Sequence, residues 1–168
     1  MKRIELLNKT HDRKLFDCGE PNLNQFLRRT ARQHIQKGLS RTFVLVDSQQ
    51  PFVIVGFFTL VLCELSAESL PEKWMKKYPS VVPGVKLARL AVSLEYQRQG
   101  IGEILLVEAM AKASIIAENA GVIGLFVDAK DSSAKKYYEQ YGFEGTRENS
   151  LLLFLPVSGF LKFGRSQK

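Results

Sequence analysis

The stretch from Leu87 to Gly102, LARLAVSLEYQRQGIG, constrains the chain most: an apolar strand runs into a basic, glycine-punctuated turn and then a long apolar helix. A helix start leaves its first N–H groups unpartnered and carries the positive end of the helix dipole, so it favours a phosphate or pyrophosphate. Gly100 and Gly102 have no side chain to hold a ligand off that backbone, and Arg98 adds a fixed positive charge. The Gly-x-Gly spacing alone describes a tight turn equally well, so the flanks have to decide.

Those flanks read as a βαβ crossover. From Lys86 to Ser93, Leu87, Arg89 and Ala91 alternate with Ala88, Leu90 and Val92, as in a strand. An arginine in mid-strand is costly to bury alone, so Arg89 is expected to open onto a cleft or pair with a carboxylate. Gly102 to Asn119 is apolar around most of its circumference, apart from a narrow stripe holding Glu108 and Lys112, and has to lie against a sheet. Leu125 to Ala129 supplies the returning strand.

Upstream, Arg3 to Leu6 reads as a first strand, and Asn22 as the cap of a helix from Leu23 to Lys37 that Gly38 stops. Leu23, Phe26, Leu27, Ala31 and Ile35 form its apolar face. Arg28, Arg29, Arg32 and Gln36 fall opposite, as a solvated face or as a ridge for a polyanion. His34 lies beside the apolar stripe and reads as a packed or partly exposed histidine, not as a catalyst. Arg41 to Asp47 and Phe52 to Leu65 form a hairpin around the turn Ser48 to Pro51. Ser66 to Val85 is broken by Pro71, Pro79, Pro83 and Gly84, and sets Trp74 and Tyr78 among Lys73, Lys76 and Lys77. That interleaving suits a nucleic acid; it equally describes a short helix pinned to the core by Trp74. Near the end, Asp131 or Ser132 caps a helix from Ser133 to Tyr141, Gly142 closes it, and Leu151 to Pro156 is the last strand. VSGFLKF closes the chain and GRSQK is a flexible tail.

One α+β domain accounts for all 168 residues. The formal charge of +7 points to an anionic partner. Cys18 and Cys63 are too few for a disulfide framework, lack metal-site spacing, and read as reduced thiols. The N-terminus has no apolar segment of signal-peptide length, and the longest apolar run, Phe52 to Cys63, falls short of the roughly 20 residues of a membrane span. The expectation is a cytoplasmic protein with neither membrane segment nor metal.

Two motifs then carry a resemblance. Gln97-x-x-Gly100-x-Gly102 resembles the acetyl-CoA signature of GNAT-superfamily N-acetyltransferases, and AKKYYEQYGF, Ala134 to Phe143, resembles that family's Ala-x-x-Phe-Tyr-x-x-x-Gly-Phe element. FDCGEPNLNQFL, the Arg-Thr strand, the proline-broken middle and ARLAV extend the likeness, over nearly the whole chain, to tRNA-acetylating toxins of the TacT and AtaT type. The chain departs from these patterns with Asp131 for Asn, Tyr137 for Phe and Ala88 for Gly.

The resemblance implies a single-domain GNAT fold, with a splayed, mixed, mostly antiparallel sheet and helices on both faces. It implies acetyl-CoA as co-substrate, held by Leu90, Ala91 and Val92 at its thioester and by Gln97, Arg98, Gln99, Gly100, Ile101 and Gly102 at its pyrophosphate. It further implies Tyr138 as general acid to the departing thiolate, with Tyr137 and Tyr141 as packing. The acceptor is then the amino group of aminoacyl-tRNA, bound by Arg28, Arg29, Arg32, Lys73, Lys76, Lys77 and Arg89. The expected partners are a ribbon-helix-helix antitoxin, DNA only through the antitoxin complex, and a second copy in a homodimer. The competing readings are an acetyltransferase for a small amine or protein N-terminus, and a non-catalytic co-repressor that binds CoA and antitoxin.

Overall fold

The computed structural model describes residues 1–164, and of 161–164 the backbone alone. The tail expected after Phe163 therefore lies outside the described residues, save for Gly164. Among the described residues, seven strands, numbered in chain order and given their ranges below, follow the order β1-β2-β3-β4-β5-β7-β6. The described residues form two compact units, one of residues 1–61 and 88–109, the other of 62–87 and 110–164.

In the first unit, β1 (Lys2–Leu6) runs antiparallel to β2 (Arg41–Asp47), which pairs antiparallel with β3 (Gly56–Ser66) from Gly56 to Leu60. The hairpin is as expected, but β3 starts at Gly56, because the chain is still turning through Gln50 to Val53 and leaves Phe52 58% exposed. Thr42 and Thr59 face each other inside this pair with their hydroxyls 2.8 Å apart, so both buried hydroxyls are satisfied. Phe57 centres the core, with the Phe16 ring edge-on at 5.4 Å and the Phe26 ring at 6.5 Å.

The helical run packed on this core corrects the capping expectation. Pro21 opens α1 (Pro21–Gln25) from its N1/N2 position, with Glu20 preceding it and no side-chain cap. Asn22 is an ordinary helical residue. A π-turn over Phe26–Thr30 follows, with the Ala31 N–H bonded to the Phe26 carbonyl, and α2 (Ala31–Lys37) completes the run. Gly38 stops it in the left-handed region, at φ 73°, while the Leu39 N–H reaches the His34 carbonyl at 2.8 Å. His34 sits 5.9 Å from the Phe26 ring, as a packed histidine should.

In the second unit the expected loop after Ser66 is shorter than its prolines suggest. A 3-10 turn (Ala67–Ser69) and α3 (Glu72–Met75) occupy it, and β4 (Val81–Val92) begins before Pro83. Gly84 is required there, since a Cβ would lie 2.4 Å from the Phe126 ring. Val85 to Leu87 pair parallel with β5 (Gly124–Asp128) after the crossover through α4 (Ile101–Asn119). Leu105, Leu106, Ala109, Met110 and Ala113 of α4 are buried, but Ile104 and Ile115 stay exposed, so the helix is less enclosed than its composition implies. The cap question resolves to Asp131, whose Oδ1 accepts from the Ala134 N–H at 2.9 Å to start α5 (Ser132–Glu139). Gly142 adopts φ 95° as expected. A short β6 (Glu144–Gly145), absent from the sequence reading, pairs with β7 (Leu152–Pro156), and VSGFLKFG forms α6 (Val157–Gly164).

Stacked Phe126 and Phe154, 4.9 Å apart, fill this unit's core, and Trp74 meets Phe154 edge-on at 6.0 Å. Gly124 is needed at the β5 edge of that core, because a Cβ there would lie 2.2 Å from the Leu155 backbone oxygen and 2.5 Å from the Phe154 ring. Backbone cannot yield as a side-chain tip can, so Gly124→Ala is expected to destabilise the fold by about 2–3 kcal/mol. Thermal unfolding should record that as a fall of roughly 5–10 °C.

Candidate active site

The site begins where β4 ends. The chain leaves Val92, makes one 3-10 turn (Leu94–Tyr96), and enters α4 through Gln97 to Gly100. Two residues there lie in the left-handed region, Arg98 at φ 63° and Gly100 at φ 79°. Glycine adopts that conformation freely, but arginine does so at a cost of order 1–2 kcal/mol. Nothing lies within 4 Å of where a Cβ of Gly100 would be, so this glycine serves the backbone conformation and leaves open space above the helix start.

Gln97 holds the turn in place. Its side-chain Nε2 donates to the Val92 carbonyl at 2.9 Å and to the Cys18 carbonyl at 3.1 Å, tying the strand end to the loop before α1. Its own N–H reaches the Leu94 carbonyl at 3.5 Å. The side chain is thus spent on structure, which the sequence pattern does not reveal. Gln99 donates to the Glu95 carbonyl at 3.3 Å, and Ile101 is buried under the first turn of α4. The loop is closed further by the Leu94 N–H on the Asp17 carbonyl at 2.9 Å and by Asn24, whose buried amide accepts from the Cys18 N–H and donates to Asp17. Together these ties leave an open cleft of about 230 Å³, lined by Leu90, Ala91, Val92 and Gln97 with Cys18, Glu20 and Leu23. None of the last three was expected here: Cys18 and Glu20 are loop residues without periodicity, and the spacing of Leu23 marks an apolar helix face without saying what it covers. Burial raises the Cys18 thiol above its ordinary pKa, so it stays protonated and inert.

Tyr138, on α5, is the other expected chemical group. Its ring packs edge-on against Tyr137 at 5.3 Å and Phe143 at 5.6 Å, while Tyr137 in turn meets Tyr141 at 5.4 Å. Among the described residues its hydroxyl has no hydrogen-bond partner. Desolvation pushes its pKa up to about 12. The group is therefore a firmly held proton with an unengaged donor.

The expected tRNA-contacting residues separate into different settings. Arg28, Arg29 and Arg32 line one groove with Arg13, Gln33 and Gln36. Arg89 instead lies over the Phe26 ring at 3.6 Å, and partial burial lowers its pKa; of the expected cleft or carboxylate partner, the place of the carboxylate is taken by an aromatic face. Lys73 pairs with Glu144 at 2.6 Å, and the Lys77 ammonium sits 4.7 Å from the Trp74 ring centre. Trp74 is thus a core anchor. Lys76 shares that helix end.

A family model for the acetyltransferase (GNAT) domain matches residues 39–145, which include both the turn and Tyr138. The chain belongs to the GNAT acetyltransferase family. A tRNA-acetylating toxin of Mycobacterium tuberculosis (strain ATCC 25618 / H37Rv) is 31% identical over 83% of this chain and 82% of its own length. The structure of AtaT complexed with acetyl-methionyl-tRNAfMet superposes at a TM-score of 0.90, is 30% identical, and is matched over 98% of this chain and 99% of that one. A mutant AtaT bound to the C-terminus of the antitoxin AtaR and acetyl-CoA gives 0.81 at 28% identity, over 96% and 98% of the two chains.

For this acetyltransferase the raised phenol has a measurable consequence. With the folded pKa at about 12 and the unfolded value near 10, the folded state keeps its proton where the unfolded state loses it. The associated stability is fully present below pH 10 and is lost as pH rises through 12, by up to roughly 2–3 kcal/mol. Ultraviolet titration should show a phenol ionising near 12 that Tyr138→Phe lacks, and the variant should unfold less steeply with pH in that window.

Proposed function

We propose that this chain is the toxin of a type II toxin-antitoxin system, which transfers acetyl from acetyl-CoA to the amino group of aminoacyl-tRNA and so blocks translation. The observation that carries the reading is the clamped turn: a strand end and a helix start joined through two left-handed residues, opening on a cleft at Leu90 to Val92. The names and bound molecules of the relatives supply the substrate class.

The residues present fit the cofactor. Open space above Gly100, the positive end of a 19-residue helix and the Arg98 charge suit a pyrophosphate, while the cleft beside Leu90, Ala91 and Val92 suits an acyl thioester. Backbone from Gln99 to Gly102 holds the phosphates and Gln97 holds the turn. Bound there, acetyl-CoA supplies an activated acetyl group, and transfer forms a C–N bond to the acceptor amine as the C–S bond breaks. The neutral amine needs little help, because an aminoacyl ester lowers its basicity and water takes the proton it loses.

Tyr138 acts on the departing sulfur. Complete transfer from a phenol of pKa about 12 to a thiolate of ordinary basicity, near 8.5, runs uphill by roughly 5 kcal/mol. The phenol therefore works chiefly by donating a hydrogen bond to the charge as it develops, and its raised pKa keeps the donor protonated at every physiological pH.

The protein acts in the cytoplasm as a homodimer. A ribbon-helix-helix antitoxin neutralises it, and it meets DNA only through that complex. Purified protein with isotopically labelled acetyl-CoA should N-acetylate charged tRNA from a total pool, read by mass spectrometry of the released aminoacyl-adenosine. Tyr138→Phe should lower kcat by about 10²–10⁴-fold with KM for acetyl-CoA nearly unchanged. Full activity in the Phe variant would remove Tyr138 from this role.

A further inference from the structure

One ion pair of the second unit lies where the sheet opens. β5 pairs with β7 along its whole length, from Gly124↔Pro156 to Asp128↔Leu152, and the Ala129 N–H adds a further bond to the Leu151 carbonyl. Its parallel ladder with β4 is shorter and ends at Leu87↔Val127. At Asp128 the strand is therefore still held on one side and released on the other. Lys86, from the middle rung, reaches forward to that point and sets its Nζ 2.5 Å from Asp128 Oδ2. Lys86 shares its rung with Phe126 and Asp128 lies two residues further on, so both side chains stand on the face where Phe126 packs with Trp74.

Stability does not explain the pair. Asp128 is exposed and Lys86 half-buried, and an ion pair in that setting adds little to a fold. Among the described residues neither group has another hydrogen-bond or ion-pair partner, so Asp128 Oδ1 keeps its lone pairs. Cys63, on β3, feels both charges, but burial raises its thiol more than Lys86 lowers it, and it stays protonated. In the loop that leaves β5, Asp131 is spent on the cap of α5, the helix that carries Tyr138.

An acceptor oxygen backed by a cation suits one kind of substrate group. A lone carboxylate beside an amine stabilises the ammonium, which has no lone pair with which to attack. With Lys86 on the other oxygen the pair is net neutral, so Oδ1 accepts a hydrogen bond while the ammonium gains little. Such a site orients a neutral primary amine without holding it in its unreactive form. We infer that Asp128 is a further catalytic residue, whose Oδ1 accepts an N–H of the acceptor's neutral amino group, and that Lys86 positions it and balances its charge. This rests on the reading that aminoacyl-tRNA is the acceptor. The C–N bond forms as the C–S bond breaks, one N–H proton passes to water, and Asp128 neither gains nor loses a proton.

Three variants test it, Asp128→Asn, Lys86→Met and Lys86→Arg, each read by kcat with charged tRNA and by affinity. Affinity is measured in the CoA-bound protein, for an amide-linked, hydrolysis-resistant aminoacyl-tRNA against uncharged tRNA. Asp128→Asn leaves Lys86 the single carbonyl oxygen and turns a donor toward the amine, so kcat should fall about 10–100-fold with KM for acetyl-CoA and Tm near wild type. Lys86→Met leaves an uncompensated carboxylate. It should prefer the charged tRNA more strongly than wild type does, by about 3–10-fold, yet acetylate it about tenfold more slowly at pH 7. Lys86→Arg should recover most of both effects. Wild-type kcat in Asp128→Asn, or equal losses in Asp128→Asn and Lys86→Met with the preference for charged tRNA unmoved, overturns the inference while the functional reading stands. A lowered Tm with lost acetyl-CoA binding in all three variants marks the pair as structural and overturns it too. Failure of the wild-type protein to acetylate any charged tRNA overturns both readings.

Discussion

The Gln97 carboxamide, bonded to two carbonyls far apart in the chain, is the interaction on which the site depends. It fastens the end of β4 to the loop that opens α1, and so fixes where the strand stops and the turn into α4 begins. Without it the left-handed conformation of Arg98 would have little to hold it, since a strained backbone persists only where its surroundings over-determine it. The Leu94–Asp17 bond and the buried Asn24 are such surroundings, and all of them come from the seventeenth to twenty-fourth residues. The early loop therefore helps to line the cleft beside the turn, although the Gln97-x-x-Gly100-x-Gly102 motif lies far from it in the chain.

Two opposite uses of burial divide the chemistry. Around Tyr138 the solvent is withdrawn and no charge is supplied in its place, so the phenol keeps its proton. Around Arg13, Arg28 and Arg29 the charges stay in open grooves, where salt screens them and a polyanion can exchange with counterions. The first setting keeps a single proton in place; the second leaves several positive charges open to solvent. Arg89 lies between these extremes, partly desolvated on the Phe26 ring, and its contribution is to packing as much as to charge.

The crossover from β4 through α4 to β5 was legible because period-2 and helical patterns are long there, and Gly38 and Gly142 marked helix ends because only glycine takes that conformation freely. The turn was legible as a motif, but not the employment of the Gln97 side chain, since the pattern fixes a residue type and not its partner. The helix start at Pro21 was missed because Asn22 is a good cap in isolation, and tertiary bonds to Asn24 decided otherwise. The early start of β4 was hidden by Pro83 and Gly84, which read as breakers; one is exposed and the other makes room for Phe126. The π-turn over Phe26–Thr30 has no sequence signature.

The central claim is that the backbone from Leu90 to Gly102, held by Gln97, is an acetyl-CoA site. Amide hydrogen exchange with and without acetyl-CoA tests it most directly. The account predicts slowed exchange across Leu90 to Gly102 and the Cys18 to Leu23 loop, with β1 and β2 unaffected. Unchanged exchange in that segment at saturating acetyl-CoA would contradict it.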